Sequence, residues 1–163
     1  MDADQLAHEV FRKGNQIYSK IRSLFPEIKG NPTRAQIARI VFQDSERRRK
    51  LESLIHPYVF WRLGEKLARM RSGVAVVEVP LLFETGFGRR CDATIVVSAS
   101  RSEVLKRLSA KGFSEEEIER RWRAQMPLEE KVKRADYRVD NSNGRLKTER
   151  QVQKIWNQIQ TKF

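Results

Sequence analysis

The chain has 163 residues, of which 39% are hydrophobic and 33% are charged. This length suits one domain with its own core, and the composition excludes collagen-like, low-complexity and generally disordered proteins. The longest apolar stretch, residues 74–83 with Glu78 inside it, is too short to span a bilayer. The first residues show no basic region followed by an apolar segment, and Cys91 is the only cysteine. We therefore expect a cytoplasmic protein without a secretory signal or a disulfide framework.

The charge of the chain is strongly basic, with 33 Lys and Arg against 21 Asp and Glu and a net charge of +12. Such a balance suits nucleic acid, an anionic membrane surface or a phosphorylated small molecule. Acidic residues interrupt most of the basic sequence, and the one uninterrupted run, residues 47–50, falls in a helical pattern. We interpret that run as a solvated helix face. No nucleic-acid motif is present, so we expect an anionic ligand but no nucleic acid and no membrane partner.

The first seventy residues are predicted to be helical. Apolar residues at helical spacing predict helices around residues 6–11 and 16–25. Thr33 with Gln36 forms the pattern of a capping box, and Asp44 is placed to cap the following helix. Because proline disfavours helical geometry in the preceding residue, we expect a break or kink at His56 and Pro57. Another helix is predicted for residues 58–70.

The second half of the chain changes to strands separated by helices. Residues 74–79 and 92–97 are β-branched runs without alternation, which is typical of strands buried on both faces of a parallel sheet. Residues 136–140 predict a short third strand. Helices are predicted after the caps Ser100 and Ser114, after Pro127, and over the closing residues 152–159. The order predicts an α/β domain with a parallel sheet, although three strands are few for such a sheet.

Several segments of the chain, taken in order, resemble the dephospho-CoA kinase family. Each segment is a weak signal by itself, but five or more in the same order make a specific one. The segments are Asp2-Ala3-Asp4, Ile55-His56-Pro57, the PLLFE-type stretch at residues 79–86, the stretches at residues 107–112, 121–125 and 126–131, and Ala135-Asp136-Tyr137 to Asp140-Asn141. The resemblance extends over essentially the whole chain.

The resemblance implies a P-loop-kinase-like parallel sheet flanked by helices, with a helical CoA-binding region and a lid. It places the CoA-binding region at about residues 5–71, the core at about 72–100 and 135–163, and the lid at about 101–134, all within one domain of residues 1–163. The implied reaction is the ATP-dependent phosphorylation of the ribose 3′-hydroxyl of dephospho-CoA, the last step of coenzyme A biosynthesis. ATP and dephospho-CoA are then the partners, and Mg²⁺ enters with ATP.

Two departures from the family pattern bear on activity. The family begins with a strand and a Gly-x-x-x-x-Gly-Lys-Ser/Thr phosphate loop, and no such motif occurs in these 163 residues. Glu78 stands where the family usually has an aspartate. We expect an N-terminally truncated kinase that is inactive or nearly so, and upstream DNA encoding an in-frame strand and phosphate loop would test this.

The resemblance assigns acceptor-side roles to residues that also have simpler interpretations. Asp2 is the candidate general base, although an aspartate at this position also suits a helix cap. Glu78 is a candidate for indirect contact with the Mg²⁺-ATP or the ribose, or else for a buried structural ion pair. His56 falls in the dephospho-CoA pocket, although a histidine before a proline is commonly a turn or packing residue. Leu82 and Glu84 are expected beside the acceptor, where Glu84 contacts substrate or lid.

The resemblance also assigns residues to the ATP side. Arg107 and Lys111 are candidate ATP-binding residues, and Asn141 resembles a segment that borders the adenine. Arg121 is the candidate catalytic lid arginine, with Gln125 one helical turn further on, because a closing lid brings cations to the transferring phosphoryl group. Each of these arginines could instead be a solvated side chain in a basic protein.

Two alternatives from other functional classes stay open. One is a non-catalytic CoA-binding or nucleotide-binding protein, or one that acts through its basic surface. The other is a nucleic-acid-binding domain, which only the net charge supports and whose affinity would fall steeply with salt.

Overall fold

The computed structural model describes residues 1–12 and 14–162. The chain forms two compact units, Met1–Pro80 and Leu81–Phe163. The first unit is helical and the second contains a parallel pair of strands with helices around it. The predicted α/β class with a parallel sheet is therefore confirmed.

The first unit contains four α-helices, α1 (Ala3–Glu9), α2 (Tyr18–Ser23), α3 (Arg34–Gln43) and α4 (Ser45–Ala68). Both predicted caps are formed. Thr33 and Gln36 make a reciprocal capping box at the start of α3, and the Asp44 carboxylate accepts from the N–H groups of Glu46 and Arg47 at the start of α4. These bonds satisfy amide donors that have no partner inside the helix.

Helix α4 continues without interruption through Pro57. The predicted division into two helices at this point is wrong. Pro57 has no N–H to donate to the carbonyl of residue 53, so the helix lacks one internal bond there. Apolar packing on both sides of the proline maintains the helix, since Leu51, Val59 and Leu63 are all buried.

The core of the first unit lies where the three shorter helices meet α4. Val10, Ile21 and Leu63 are fully buried, and Phe25 and Ile37 are nearly so. A polar link joins α1 to α4, because the Glu9 carboxylate accepts from the Tyr58 hydroxyl at 3.2 Å and from Arg62 Nε at 3.3 Å. The helical region is thus held by a shared apolar face and by this link.

Residues 74–79 do not form the buried strand that their sequence predicts. They lie beside residues 1–3, with one isolated parallel bridge between Asp2 and Glu78. Three bonds make up this pairing: Met1 N to the Val76 carbonyl, Glu78 N to the Met1 carbonyl, and Ala3 N to the Glu78 carbonyl. Val76 is 72% exposed. A strand buried on both faces needs neighbours on both edges and both faces, and the described part of this unit supplies only residues 1–3.

The second unit has two strands, β1 (Ile95–Ser98) and β2 (Tyr137–Asp140), and four α-helices, α5 (Arg101–Ser109), α6 (Glu115–Arg123), α7 (Leu128–Arg134) and α8 (Arg145–Lys162). A short 3₁₀ helix at Phe87–Arg90 precedes β1. The strands pair in parallel, with Ile95 opposite Tyr137 and Ser98 opposite Asp140. The predicted strands within 92–97 and 136–140, and the predicted caps Ser100 and Ser114, are confirmed.

Burial along β1 alternates, which corrects the prediction of a strand buried on both faces. Val96 and Ser98 are buried, whereas Ile95 and Val97 are 42% and 60% exposed. The buried face of the strand pair carries Val96 and Val139, and Ile118 of α6 and Ile155 of α8 are buried in the same unit. Helix α8 contacts β2, and α7 contacts β1. An all-β-branched sequence therefore does not distinguish a one-sided from a two-sided strand.

No helix in the part of the chain that the structure describes is long and apolar enough to cross a membrane.

Candidate functional site

The carboxyl ends of β1 and β2 lie at the same edge of the strand pair. Ligands in open α/β sheets bind beyond this edge. The Asn141 N–H donates to the Ser98 carbonyl at 2.7 Å, and the Ser100 N–H donates to Ser142 Oγ at 2.8 Å. The two loops that follow the strands are therefore bonded to each other.

Arg107 and Asn141, both predicted on the ATP side, are in contact at this edge. The Ser100 hydroxyl caps the start of α5 by accepting from the Glu103 N–H. One turn further on, Arg107 Nε pairs with Glu103 at 3.0 Å, and Arg107 Nη2 donates to the Asn141 carbonyl at 2.9 Å. The guanidinium thus links helix α5 to the loop after β2.

A set of polar residues around Asn141 was not predicted as part of the site. Asn141 Oδ1 accepts from the Thr148 hydroxyl at 3.0 Å, and Gln151 bonds both the N–H and the carbonyl of Asp140 at 2.9 Å. The hydroxyl and N–H of Ser142 both donate to the Asp140 carboxylate and hold its pKa below the ordinary value. The run Asp140-Asn141-Ser142 at a strand end was the available sequence signal, since such residues bond their own loop backbone.

Two further predicted residues on this side are not brought into the Arg107–Asn141 contact. Lys111 is exposed in the turn after α5. Arg121 is exposed on α6, with its guanidinium carbon 4.7 Å from the centre of the Phe113 ring. Helix α6 ends at Arg123, so Gln125 lies outside it and the expected one-turn spacing from Arg121 is wrong. Gln125 instead accepts a hydrogen bond from Lys131 Nζ at 2.9 Å.

Asp2 and Glu78 lie side by side in the first unit. The Asp2 carboxylate caps α1, with Oδ1 accepting from the N–H groups of Asp4 at 2.8 Å and Gln5 at 3.1 Å. The structure therefore shows the cap interpretation of Asp2 and leaves its role as a base untested. Glu78 is exposed rather than buried in a strand, so the expected buried ion pair is not required.

His56 lies within α4 and is partly buried. Its ring stacks on Phe60 one turn further along, with the ring centres 6.3 Å apart and the planes 20° from parallel. The structure thus shows the packing contact that was the simpler interpretation of His56.

Leu82 and Glu84 lie in the turn that follows Pro80 and line a cavity of about 460 Å³ within the second unit. Glu84 Oε1 accepts from the Met126 N–H at 2.9 Å and pairs with Lys131 Nζ at 3.0 Å. Burial raises the pKa of Glu84, but these hydrogen bonds and the lysine charge outweigh burial and leave the pKa below the ordinary value. Of the two predicted alternatives for Glu84, the structure shows contact with the lid segment.

The residues that the structure describes include no group of three or more His, Cys, Asp or Glu side chains that could hold a metal ion. Asp2 and Glu78 are two adjacent carboxylates, which are fewer protein ligands than a dedicated cation cage needs.

Comparison with known proteins gives a consistent result. A family model described as dephospho-CoA kinase matches residues 1–147. The dephospho-CoA kinase of Aquifex aeolicus is 39% identical over 98% of this chain and 84% of its own length, and that of Geobacillus kaustophilus is 40% identical over 97% and 83%. A crystal structure of a Thermus thermophilus protein has a TM-score of 0.85 at 38% identity, covering 95% of this chain and 81% of that one. The dephospho-CoA kinase of Campylobacter jejuni has a TM-score of 0.68 at 25% identity, covering 98% and 83%.

Proposed function

We propose that the residues of this chain take part in the transfer of the γ-phosphoryl group of ATP to the ribose 3′-hydroxyl of dephospho-CoA. The reason is that the chain belongs to the dephospho-CoA kinase family. The family is one of ATP-dependent kinases, so the reaction class is phosphoryl transfer to an alcohol. In this step the 3′-oxygen forms a bond to the γ-phosphorus, the bond from that phosphorus to the β–γ bridging oxygen breaks, and ADP leaves. The products are coenzyme A and ADP.

The observation that carries the proposal is the Arg107–Asn141 contact at the carboxyl edge of the strands. The guanidinium has five N–H donors, of which one bonds Glu103 and one bonds the Asn141 carbonyl. It can therefore hold the loop after β2 for the adenine and still face a phosphate. Lys111 and Arg121, both exposed cations of the predicted lid, would reach the phosphates when a lid closes and excludes water.

On the acceptor side we assign the base to Asp2. Its Oδ1 is held by two N–H groups of α1, and its second oxygen accepts no hydrogen bond from the residues described. That oxygen can orient the attacking hydroxyl and take its proton. We assign His56 and Leu82 to the dephospho-CoA pocket. We also propose that the chain is one domain, which consists of a helical CoA-binding region, a core and a lid. Mg²⁺ enters bound to ATP, where it neutralises phosphate charge.

We further propose that these 163 residues do not catalyse the reaction by themselves. Their sequence has no Gly-x-x-x-x-Gly-Lys-Ser/Thr motif, and this loop supplies the N–H groups and the lysine that hold the phosphates. We place the protein in the cytoplasm, with ATP and dephospho-CoA as its partners rather than nucleic acid or membrane. Turnover of dephospho-CoA and Mg²⁺-ATP by the purified chain, at a rate typical of an intact kinase, would contradict the proposal that the chain is inactive by itself.

The proposal is tested by titrating ATP and dephospho-CoA separately into the chain by calorimetry. We expect Arg107→Gln to weaken ATP binding by about ten- to hundredfold, because a hydrogen bond to a charged group contributes about 1.5–3 kcal/mol, and to leave dephospho-CoA binding unchanged. Arg145→Gln is the matched control, because Arg145 is an exposed arginine paired with Glu149 on α8. Equal ATP affinities of the two variants would contradict the assignment of Arg107 to the ATP site. Binding of only one of the two nucleotides by the parent chain would instead favour the non-catalytic binding protein.

A further inference from the structure

Two groups from one short segment converge on the Glu84 carboxylate. The Met126 N–H donates to Oε1 at 2.9 Å, Lys131 Nζ lies 3.0 Å from the same oxygen, and Lys131 also donates to Gln125 Oε1 at 2.9 Å. The Lys131 side chain is only 13% exposed and that of Glu84 is 22% exposed. This is a partly dehydrated ion pair, in which hydrogen bonds to charged groups are stronger than at a fully exposed site.

The segment held in this way is the linker between α6 and α7. Helix α6 ends at Arg123, and α7 begins at Leu128 after an N-cap, Pro127, that makes no side-chain cap bond. The linker therefore has no cap of its own at the start of α7. Glu84, in a turn 42 residues earlier in the chain, accepts from the N–H of Met126, the residue directly before this N-cap.

Other charged groups near this carboxylate do not duplicate its role. Glu130 on α7 pairs with Lys133 at 3.1 Å. Asp136, which lines the same cavity, accepts from the N–H and the hydroxyl of Thr94 at 2.8 and 2.7 Å. Arg89 and Arg134 line the cavity but form no ion pair with Glu84 within 4 Å. Lys131 is thus the cation bound to Glu84.

We propose that Glu84 is a positioning residue that anchors the base of the lid, and that it does not bind the acceptor substrate. By holding Met126 and Lys131, and through Lys131 also Gln125, it fixes the end of α6 and with it the direction of the helix that carries Arg121. Loss of the Glu84 charge releases the linker and leaves Arg121 poorly placed for the phosphates of ATP. The part of this inference that concerns ATP rests on the proposed function.

Hydrogen exchange of the Met126 amide tests the anchor without any need for catalysis. Amide exchange reports the free energy of local opening. We expect Glu84→Ala to raise the exchange rate of Met126 at least about tenfold, because a charged hydrogen-bond acceptor is lost, and Lys131→Met to raise it by less. Lys131→Arg keeps the cation and should stay close to the parent. Glu130→Gln is the matched control on the same helix and should leave Met126 unchanged.

If Glu84→Ala does not fold, Glu84→Gln replaces it, because the amide can still accept from Met126 but no longer pairs with Lys131. Exchange at Met126 that is the same in both Glu84 variants and in the parent overturns the anchor. Exchange in Glu130→Gln that rises as much as in Glu84→Gln also overturns it, since the effect would then be a general one of α7.

Nucleotide titration separates a positioning role from a merely structural one and from a substrate-binding one. A positioning role predicts that Glu84→Gln weakens ATP binding about three- to tenfold, that Lys131→Arg in the parent background leaves it unchanged, and that dephospho-CoA affinity stays constant in both variants. A loss of dephospho-CoA affinity with unchanged Met126 exchange would make Glu84 a substrate-binding residue and overturn the inference. If the parent binds neither nucleotide, the proposed function fails while the exchange result still decides whether Glu84 anchors the linker.

Discussion

At the scale of single residues, Thr94 and Asp136 link the amino ends of the two strands by hydrogen bonds. The Asp136 carboxylate accepts from both the N–H and the hydroxyl of Thr94, and the Asp136 N–H donates back to Thr94 Oγ1 at 3.1 Å. These bonds start the parallel pairing one residue before Ile95 and Tyr137. The bonds from Thr94 lower the pKa of Asp136 below its ordinary value of 3.8.

The first prediction concerns the charge of Asp136. Because its pKa is lower in the folded chain than in the unfolded chain, its contribution to stability is fully present above pH 3.8 and is lost as the pH falls through the folded pKa. We expect Asp136→Asn to lower the free energy of unfolding by about 1 kcal/mol at pH 7, since the site is partly exposed to solvent. Urea denaturation over a pH series measures this. A difference between variant and parent that does not narrow in acid would contradict the assignment.

At the scale of elements, α4 and β1 show where packing overrides local sequence. Helix α4 continues through Pro57 because Leu51, Val59 and Leu63 are buried on either side of the proline. Strand β1 has the same β-branched residue at positions 96 and 97, yet only Val96 is buried. In both elements the surroundings decide the outcome, since the local pattern permits more than one.

The second prediction concerns Pro57. We expect Pro57→Ala to raise the free energy of unfolding by about 2 kcal/mol, because alanine restores the missing bond and removes the cost of about 3 kcal/mol for proline inside a helix. The greater freedom of the unfolded chain offsets part of that gain. The midpoint of urea denaturation gives the value. A variant no more stable than the parent would mean that the first turns of α4 have adapted fully to the proline.

The third prediction uses the two neighbouring valines of β1 as a matched pair. Val96→Thr buries a hydroxyl and should lower the free energy of unfolding by about 1–3 kcal/mol. Val97→Thr leaves the hydroxyl in solvent and should change it by no more than about 0.5 kcal/mol. Chemical denaturation of both variants distinguishes the cases. Equal losses at the two positions would indicate a strand that is buried on both faces in solution.

At the scale of the whole molecule, the chain has a net charge of +12, and part of its 33 Lys and Arg side chains are paired with carboxylates. In the run of residues 47–50, Arg47 pairs with Glu27 and Asp44, Arg48 with Glu52, and Lys50 with Glu46. This agrees with the interpretation of the run as a solvated helix face. It also leaves fewer cations for a polyanion than the sequence count suggests.

The fourth prediction follows from that charge. We expect random-sequence duplex DNA to bind weakly and to be released between about 50 and 200 mM salt, since its binding depends on counterion release. ATP binding should fall much less over the same range, because the proposed ATP site depends on the defined contacts of Arg107 and its neighbours. Fluorescence anisotropy with labelled DNA and calorimetry with ATP provide the comparison. DNA binding that persists at 200 mM salt would favour the alternative function as a nucleic-acid-binding domain.

The sequence by itself determined the features whose partners are close along the chain. The caps at Thr33, Asp44, Ser100 and Ser114 were predictable because each bonds an amide two or three residues away. The family was recognisable because its segments are short and keep their order. Parallel pairing of two strands separated by helices followed from connection rules.

Only the tertiary structure decided the features whose partners are distant. The single bridge at residues 74–79, the one-sided burial of β1 and the continuity of α4 depend on what packs against each segment, which local pattern does not specify. The same holds for the candidate site. Arg107 meets the Asn141 carbonyl and Glu84 meets the Met126 amide across 34 and 42 residues of chain. The family resemblance predicted that Glu84 would contact substrate or lid, and the fold determined which segment it holds.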